Sequence, residues 1–131
     1  MILADTDVLI DYLVGTQPIG EEVRAYIQSD RLLTSAITCF ELLSGAREGK
    51  RGDAVRRLVA AIPIVSLDRE AATRGATVRQ GLMRNGLTIG MADSLIAGIA
   101  LVNNLSLLTR NRKHFERIEG LRLLPAHPHT L

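Results

Sequence analysis

Tryptophan is absent, and aromatic residues are few: Tyr12, Tyr26, Phe40 and Phe115. That scarcity excludes a platform of stacked rings as the means of holding nucleic acid. The single cysteine, Cys39, cannot form an internal disulfide and fits a reducing compartment. His114, His127 and His129 come late and stand in no closely spaced His/Cys pattern, which argues against zinc. The longest apolar stretch, residues 95–102, is far too short to span a bilayer. Asp5 and Asp7 interrupt the first apolar residues almost at once, so no secretory leader is expected, and the protein is expected in the cytoplasm. Lysine is scarce as well: of sixteen basic residues only Lys50 and Lys113 are not arginine.

What is present describes one folded domain over residues 1–131. The chain is 47% apolar and 23% charged, a balance that supports a core and excludes disorder. Net charge is only +2, but basic residues crowd into residues 47–57, 69–84 and 110–122. Arginine's planar fork suits bidentate contact with phosphate or carboxylate. An acidic centre in a basic surround would suit a phosphate polyanion held near metal ions. Solvated arginine-rich helix faces account for the same composition equally well.

Short apolar runs alternate with segments of helical period. Residues 2–4, 32–34, 64–67, 106–109 and 122–124 read as strands. Helices are expected over residues 7–14, from Pro18 onward, and over 37–47, 53–61, 69–84 and 91–103. Pro18 suits a first helical turn, with Glu21 and Glu22 where the helix dipole favours acids. Asp68 is placed to cap the long helix, and Asn85 with Gly86 to stop it. Residues 91–103 are apolar nearly all round, so that helix should be central and buried. Strands separated by helices imply an α/β layered fold, a mostly parallel sheet flanked by helices.

Asp5, Glu41, Asp93 and Asn111 occupy comparable places in this pattern. Asp5 ends the first strand, and Glu41 comes early in the helix after the second. Asp93 lies in the first turn of the buried helix, and Asn111 follows the strand at 106–109. In a parallel sheet, strand carboxyl ends and helix starts share the rim where ligands bind, so all four side chains can converge there. Clustered carboxylates raise one another's pKa values, and a divalent cation removes that cost. Hard oxygen ligands with open water positions suit Mg²⁺ or Mn²⁺. Each residue also has a purely structural reading. Asp5 can cap the first helix, Glu41 can complete a capping box with Thr38, Asp93 can face a helix dipole, and Asn111 can be a turn residue. The joint pattern is far more specific than any member.

Four segments carry a family resemblance: Asp5-Thr6-Asp7-Val8-Leu9-Ile10, Phe40-Glu41-Leu42, Ala92-Asp93-Ser94-Leu95-Ile96-Ala97, and Leu108-Thr109-Arg110-Asn111 with Phe115 beyond it. In order and spacing they resemble the motifs of PIN-domain ribonucleases, in particular the toxin subunits of VapBC toxin–antitoxin pairs. The resemblance covers nearly the whole chain. It implies a PIN-like three-layer sandwich and a Mg²⁺- or Mn²⁺-dependent endoribonuclease restrained by a small VapB-type antitoxin. It also implies Asp5, Glu41 and Asp93 as catalytic acids and metal ligands. Asn111 takes a fourth position that is Asp in some members and Asn in others. Thr6, Asp7 and Thr109 take supporting positions. His114 stands where an acid is often found, and it receives no role.

Metal-activated water needs no ribose 2′-hydroxyl as nucleophile, so in-line hydrolysis should leave 5′-phosphate and 3′-hydroxyl ends. Arg47, Arg51, Arg110 and Arg112 are the basic residues nearest the motifs and the candidates for RNA backbone contact. The face carrying Leu42 and Leu43 is a candidate surface for a homodimer or the antitoxin. Asp5-Thr6-Asp7-Val8-Leu9 also resembles the first motif of haloacid dehalogenase-type phosphatases, but that reading leaves Glu41 and Asp93 unused. The other alternative is a binding module without catalysis, its acids merely capping helices, which predicts no stabilisation by metal.

Overall fold

Strands of two to four residues bury little by themselves, and apolar side chains on both faces of such strands demand cover from both sides. In the computed structural model, which describes residues 1–125, the chain meets that demand with three layers. The strands are β1 (Ile2–Ala4), β2 (Leu32–Ser35), β3 (Ile64–Val65), β4 (Ser106–Leu108) and β5 (Leu123–Leu124). They form one sheet in the order β3-β2-β1-β4-β5, and every neighbouring pair is parallel. The helices are α1 (Thr6–Val14), α2 (Ile19–Gln28), α3 (Ala36–Gly45), α4 (Lys50–Ala61), α5 (Arg69–Arg84), α6 (Met91–Val102) and α7 (Arg112–Phe115).

Alternate strand residues face opposite layers. Leu3 and Leu107 pack with Ala71, Ile96, Ile99 and Phe115, beneath α5, α6 and α7. Ile2, Ala4 and Leu108 pack with Val8, Leu9, Val23, Leu42 and Leu58, beneath α1 to α4. The chain runs outward from β1 to β2 and β3, then crosses back to β4 and β5. That reversal places a topological switch point between the carboxyl ends of β1 and β4, where open parallel sheets leave a crevice.

Local chemistry explains most boundaries. Asp68 Oδ1 accepts the Ala71 N–H at 2.9 Å and caps α5 as expected. The capping box of Thr38 with Glu41 does not form. Ser35 is the cap of α3, its Oγ accepting the Thr38 N–H at 3.0 Å, so Thr38 already lies inside the first turn. Helix α4 starts at Lys50, three residues before the expected start, because Gly52 lets the backbone fold tightly onto Arg47; a Cβ there would stand 1.6 Å from the Arg47 carbonyl oxygen. Strand β3 stops at Val65 rather than residue 67, and α7 is a single turn that the sequence pattern does not signal. Helices α5 and α6 cross closely. A Cβ on Gly98 would stand 2.3 Å from the Ala71 carbonyl oxygen, and one on Gly75 would stand 2.7 Å from that of Ser94.

Among the described residues no helix is long and apolar enough to cross a membrane. His127 and His129 lie outside the described residues, as does the end of the single domain expected over 1–131. The α5–α6 crossing yields a contrast. Gly98→Ala should lower the urea-unfolding free energy by about 1–3 kcal/mol, the cost of overpacking. Gly81→Ala, inside α5 with nothing within 4 Å of its added Cβ, should raise it by up to about 1 kcal/mol. Equal losses at both positions would contradict the close-crossing account.

Candidate active site

Asp5 leaves β1 at the switch point and turns the chain into α1. Its Oδ1 accepts the Thr6 N–H at 2.8 Å, and its Oδ2 accepts the Thr109 hydroxyl at 2.7 Å. Its own N–H donates to the Leu108 carbonyl at 2.9 Å, tying it to β4. Asp5 is therefore a helix cap and a member of the rim cluster at once. The residue is only 4% exposed, and its carboxyl is raised from 3.8 to about 6. Burial is the largest cause, the Asp7 charge comes next, and Asp93 adds a smaller push; the bonds from Thr109 and Thr6 pull the other way. Desolvation thus outranks the mutual repulsion expected from clustering. Asp7 is also raised, chiefly by burial, although its Oδ2 accepts the Arg110 N–H at 3.0 Å. Its Oδ1 is buried and has no hydrogen-bond partner among the described residues.

The remaining acids come from the neighbouring helices. The Thr6 hydroxyl lies 2.7 Å from Glu41 Oε1 and 3.0 Å from the Thr38 hydroxyl. A carboxylate only accepts, so Thr6 donates to Glu41 and Thr38 supplies the second bond. Asp93, in the first turn of α6, has Oδ2 2.8 Å from His114 Nδ1 on α7. Sequence reasoning passed over His114; its signal is a place one residue before the fully buried Phe115, which fixes the short helix. Asn111 is exposed at the start of α7, and its backbone N–H donates to the Thr109 hydroxyl at 3.0 Å. Asp5, Asp7, Glu41 and Asp93 thus share one rim with Thr6 and Thr109, and Asn111 borders it.

The four arginines divide. The Arg110 guanidinium grips Asp11 through both Nε and Nη2, and Asp11 is only 5% exposed. Arg112 Nη1 donates to the Pro125 carbonyl at 2.7 Å. These two brace the chain internally. Arg47 and Arg51 instead line an open groove of about 750 Å³, together with Thr6, Ile10 and Glu41. Leu42 and Leu43 do not form one outward face: Leu42 belongs to the core, whereas Leu43 is exposed.

Among the described residues no three His, Cys, Asp or Glu side chains stand grouped as a metal cage. The donors fit a hard cation that keeps much of its water, as Mg²⁺ does when one or two carboxylates bind it. Asp5 and Asp93 are close enough to repel, and Asp7, whose buried Oδ1 has no partner among the described residues, repels Asp5 more strongly still. A positive ion among these groups would favour their ionised forms. Glu41, held by Thr6, sits at the edge of this set.

Residues 2–121 match the PIN domain family. The chain is a PIN-domain protein. This PIN domain is 32% identical over 130 residues to Ribonuclease VapC10 of Mycobacterium tuberculosis, covering 97% of each chain. It is 29% identical over 124 residues to the tRNA(fMet)-specific endonuclease VapC of Shigella flexneri, covering 92% of this chain and 93% of that one. It superimposes on a chain of the DNA-bound VapBC structure from Salmonella typhimurium with a TM-score of 0.80 at 28% identity, covering 93% of this chain and 95% of that one. The match runs through Glu41 and Asp93, the residues that the phosphatase reading leaves unused.

Two predictions follow from burial at this PIN-domain rim. In metal-free protein the native Asp5 keeps its proton up to about pH 6, and the unfolded chain loses it near 3.8. The native state therefore binds more protons in that window, and stability falls as pH rises through it, by up to about 1.4 kcal/mol per unit. Urea unfolding in EDTA should show this fall, and Asp5→Asn should abolish its share; an unchanged profile would contradict the buried acid. Arg110→Ala leaves Asp11 buried without its partner and should cost about 1–3 kcal/mol, most of it recovered when Asp11→Ala is added. Two single losses that merely add would show that the pair is not coupled.

Proposed function

We propose that this PIN domain is a metal-dependent endoribonuclease, the toxin component of a type II toxin–antitoxin system. The observation that carries this reading is the meeting of Asp5, Glu41 and Asp93 at the switch point, each on a neighbouring donor, in a fold shared with VapC ribonucleases. Asp5 and Asp93 are the residues that would hold Mg²⁺ or Mn²⁺. Such an ion lowers the pKa of water and polarises a phosphoryl oxygen. Thr109 keeps the Asp5 carboxylate aimed at the crevice, and Thr6 keeps Glu41 at its edge, where that carboxylate orients the attacking water and takes its proton. The exposed amide of Asn111 borders the same rim and takes the fourth family position. Arg47 and Arg51 neutralise the RNA backbone along the groove.

The same reading includes a VapB-type antitoxin as restraining partner, since solved neighbours from Salmonella typhimurium and Haemophilus influenzae are VapBC structures. It also includes a homodimer working in the cytoplasm.

The test uses antitoxin-free protein and a mixed pool of structured RNAs, initiator tRNA among them, with Mg²⁺, Mn²⁺ or EDTA. Cutting should require metal and fall at least about 100-fold in both Asp5→Ala and Asp93→Ala. The ends should be 5′-phosphate and 3′-hydroxyl. Cutting in EDTA, or 2′,3′-cyclic phosphate ends, would overturn the mechanism.

A further inference from the structure

Each acid on the rim accepts a hydrogen bond from a different residue. Thr109 serves Asp5, the Arg110 backbone serves Asp7, Thr6 serves Glu41 and His114 serves Asp93. Three of those donors come from residues 109–114, the stretch joining β4 to α7. That stretch is anchored independently of the acids it serves. Arg110 grips Asp11 on α1, Arg112 holds the Pro125 carbonyl, and Phe115 is fully buried.

Asp93 depends on this stretch most. It sits in the first turn of α6, whose cap, Gly90, has no side chain with which to bond. Among the described residues His114 is the one hydrogen-bond partner of its carboxylate. The contact contributes little to folding, because the imidazole side chain is 56% exposed and water competes for its partner there. Phe115, not His114, anchors α7. The rigid ring, by contrast, selects one orientation of the carboxylate, and a pre-oriented ligand loses less conformational freedom when it binds.

We infer that His114 is a positioning residue for Asp93: its Nδ1–H holds Oδ2, so that the other carboxylate oxygen is presented to a divalent cation. The inference rests on the metal site proposed above and assigns His114 a place in the outer shell, donating to a ligand without binding the ion. Groups in that position tune affinity by orienting the ligands they touch.

The experiment is a Mn²⁺ titration of EDTA-stripped, antitoxin-free protein, following the free-ion paramagnetic resonance signal, alongside thermal melting without metal. The chains compared are wild type, His114→Ala, His114→Asn and Asp93→Ala. Asparagine keeps an N–H donor near the position of Nδ1. His114→Ala should weaken Mn²⁺ binding about 10- to 100-fold. His114→Asn should recover most of it, and both metal-free variants should melt within about 2 °C of wild type. Equal binding by wild type and His114→Ala, with Asp93→Ala impaired, would overturn the role of His114 and leave the metal site standing. Absence of Mn²⁺ binding by wild type would overturn both. A melting loss in His114→Ala matching its binding loss would assign the contact to folding instead.

Discussion

Asp5 stands at the carboxyl end of the central strand, almost wholly removed from water, where an ionised carboxylate is costly to desolvate. Two of its neighbours answer that cost with donors, the Thr6 N–H on one oxygen and the Thr109 hydroxyl on the other. They do not answer it fully, since the carboxyl remains raised. The surrounding architecture follows from the need to hold this group. Strands β1 and β4 must be adjacent to bring Thr109 to Asp5, and α1 must begin at once to bring Thr6.

Packing far from the rim reaches the same site. Gly75 and Gly98 let α5 and α6 cross at near backbone contact, and the Gly75 approach is to the carbonyl of Ser94, next in sequence to Asp93. A shift in that crossing therefore moves an acid, whereas the open side of Gly81 faces nothing. On the opposite layer the tight turn at Gly52 sets Arg47 and Arg51 along the groove beside Glu41. The charge asymmetry of the chain is thereby resolved in space: acids gathered around buried Asp5 at the crevice, exposed arginines along the approach.

Much of this was legible from local pattern. The strand positions, the cap at Asp68 and the buried middle of α6, from Ser94 to Ala100, follow from periodicity and capping chemistry that act over a few residues, whereas Met91 at the start of that helix is exposed. The grouping of Asp5, Glu41 and Asp93 follows from topology, because a parallel sheet gathers its strand ends on one rim. What escaped is of two kinds. Helix α7 is four residues long, barely one turn and far short of the stretch over which helical periodicity shows, so the approach of His114 to Asp93 was hidden. The Arg110–Asp11 pair joins residues 99 apart in sequence. Nothing local distinguishes that arginine from Arg47 or Arg51, and only the fold separates an internal brace from a groove-lining cation. The alternative reading of Glu41, a capping box with Thr38, fails because Ser35 caps α3 one turn earlier, leaving Glu41 for the rim.

The proposed chemistry requires Asp5 and Asp93 together to hold one divalent cation at the switch point. Anomalous diffraction from crystals grown with Mn²⁺ tests it most directly. A manganese peak should appear within bonding distance of both carboxylates, with His114 still on Asp93 and water completing the shell. A peak bound by neither acid, or bound through the His114 ring nitrogen in place of Asp93, would contradict it.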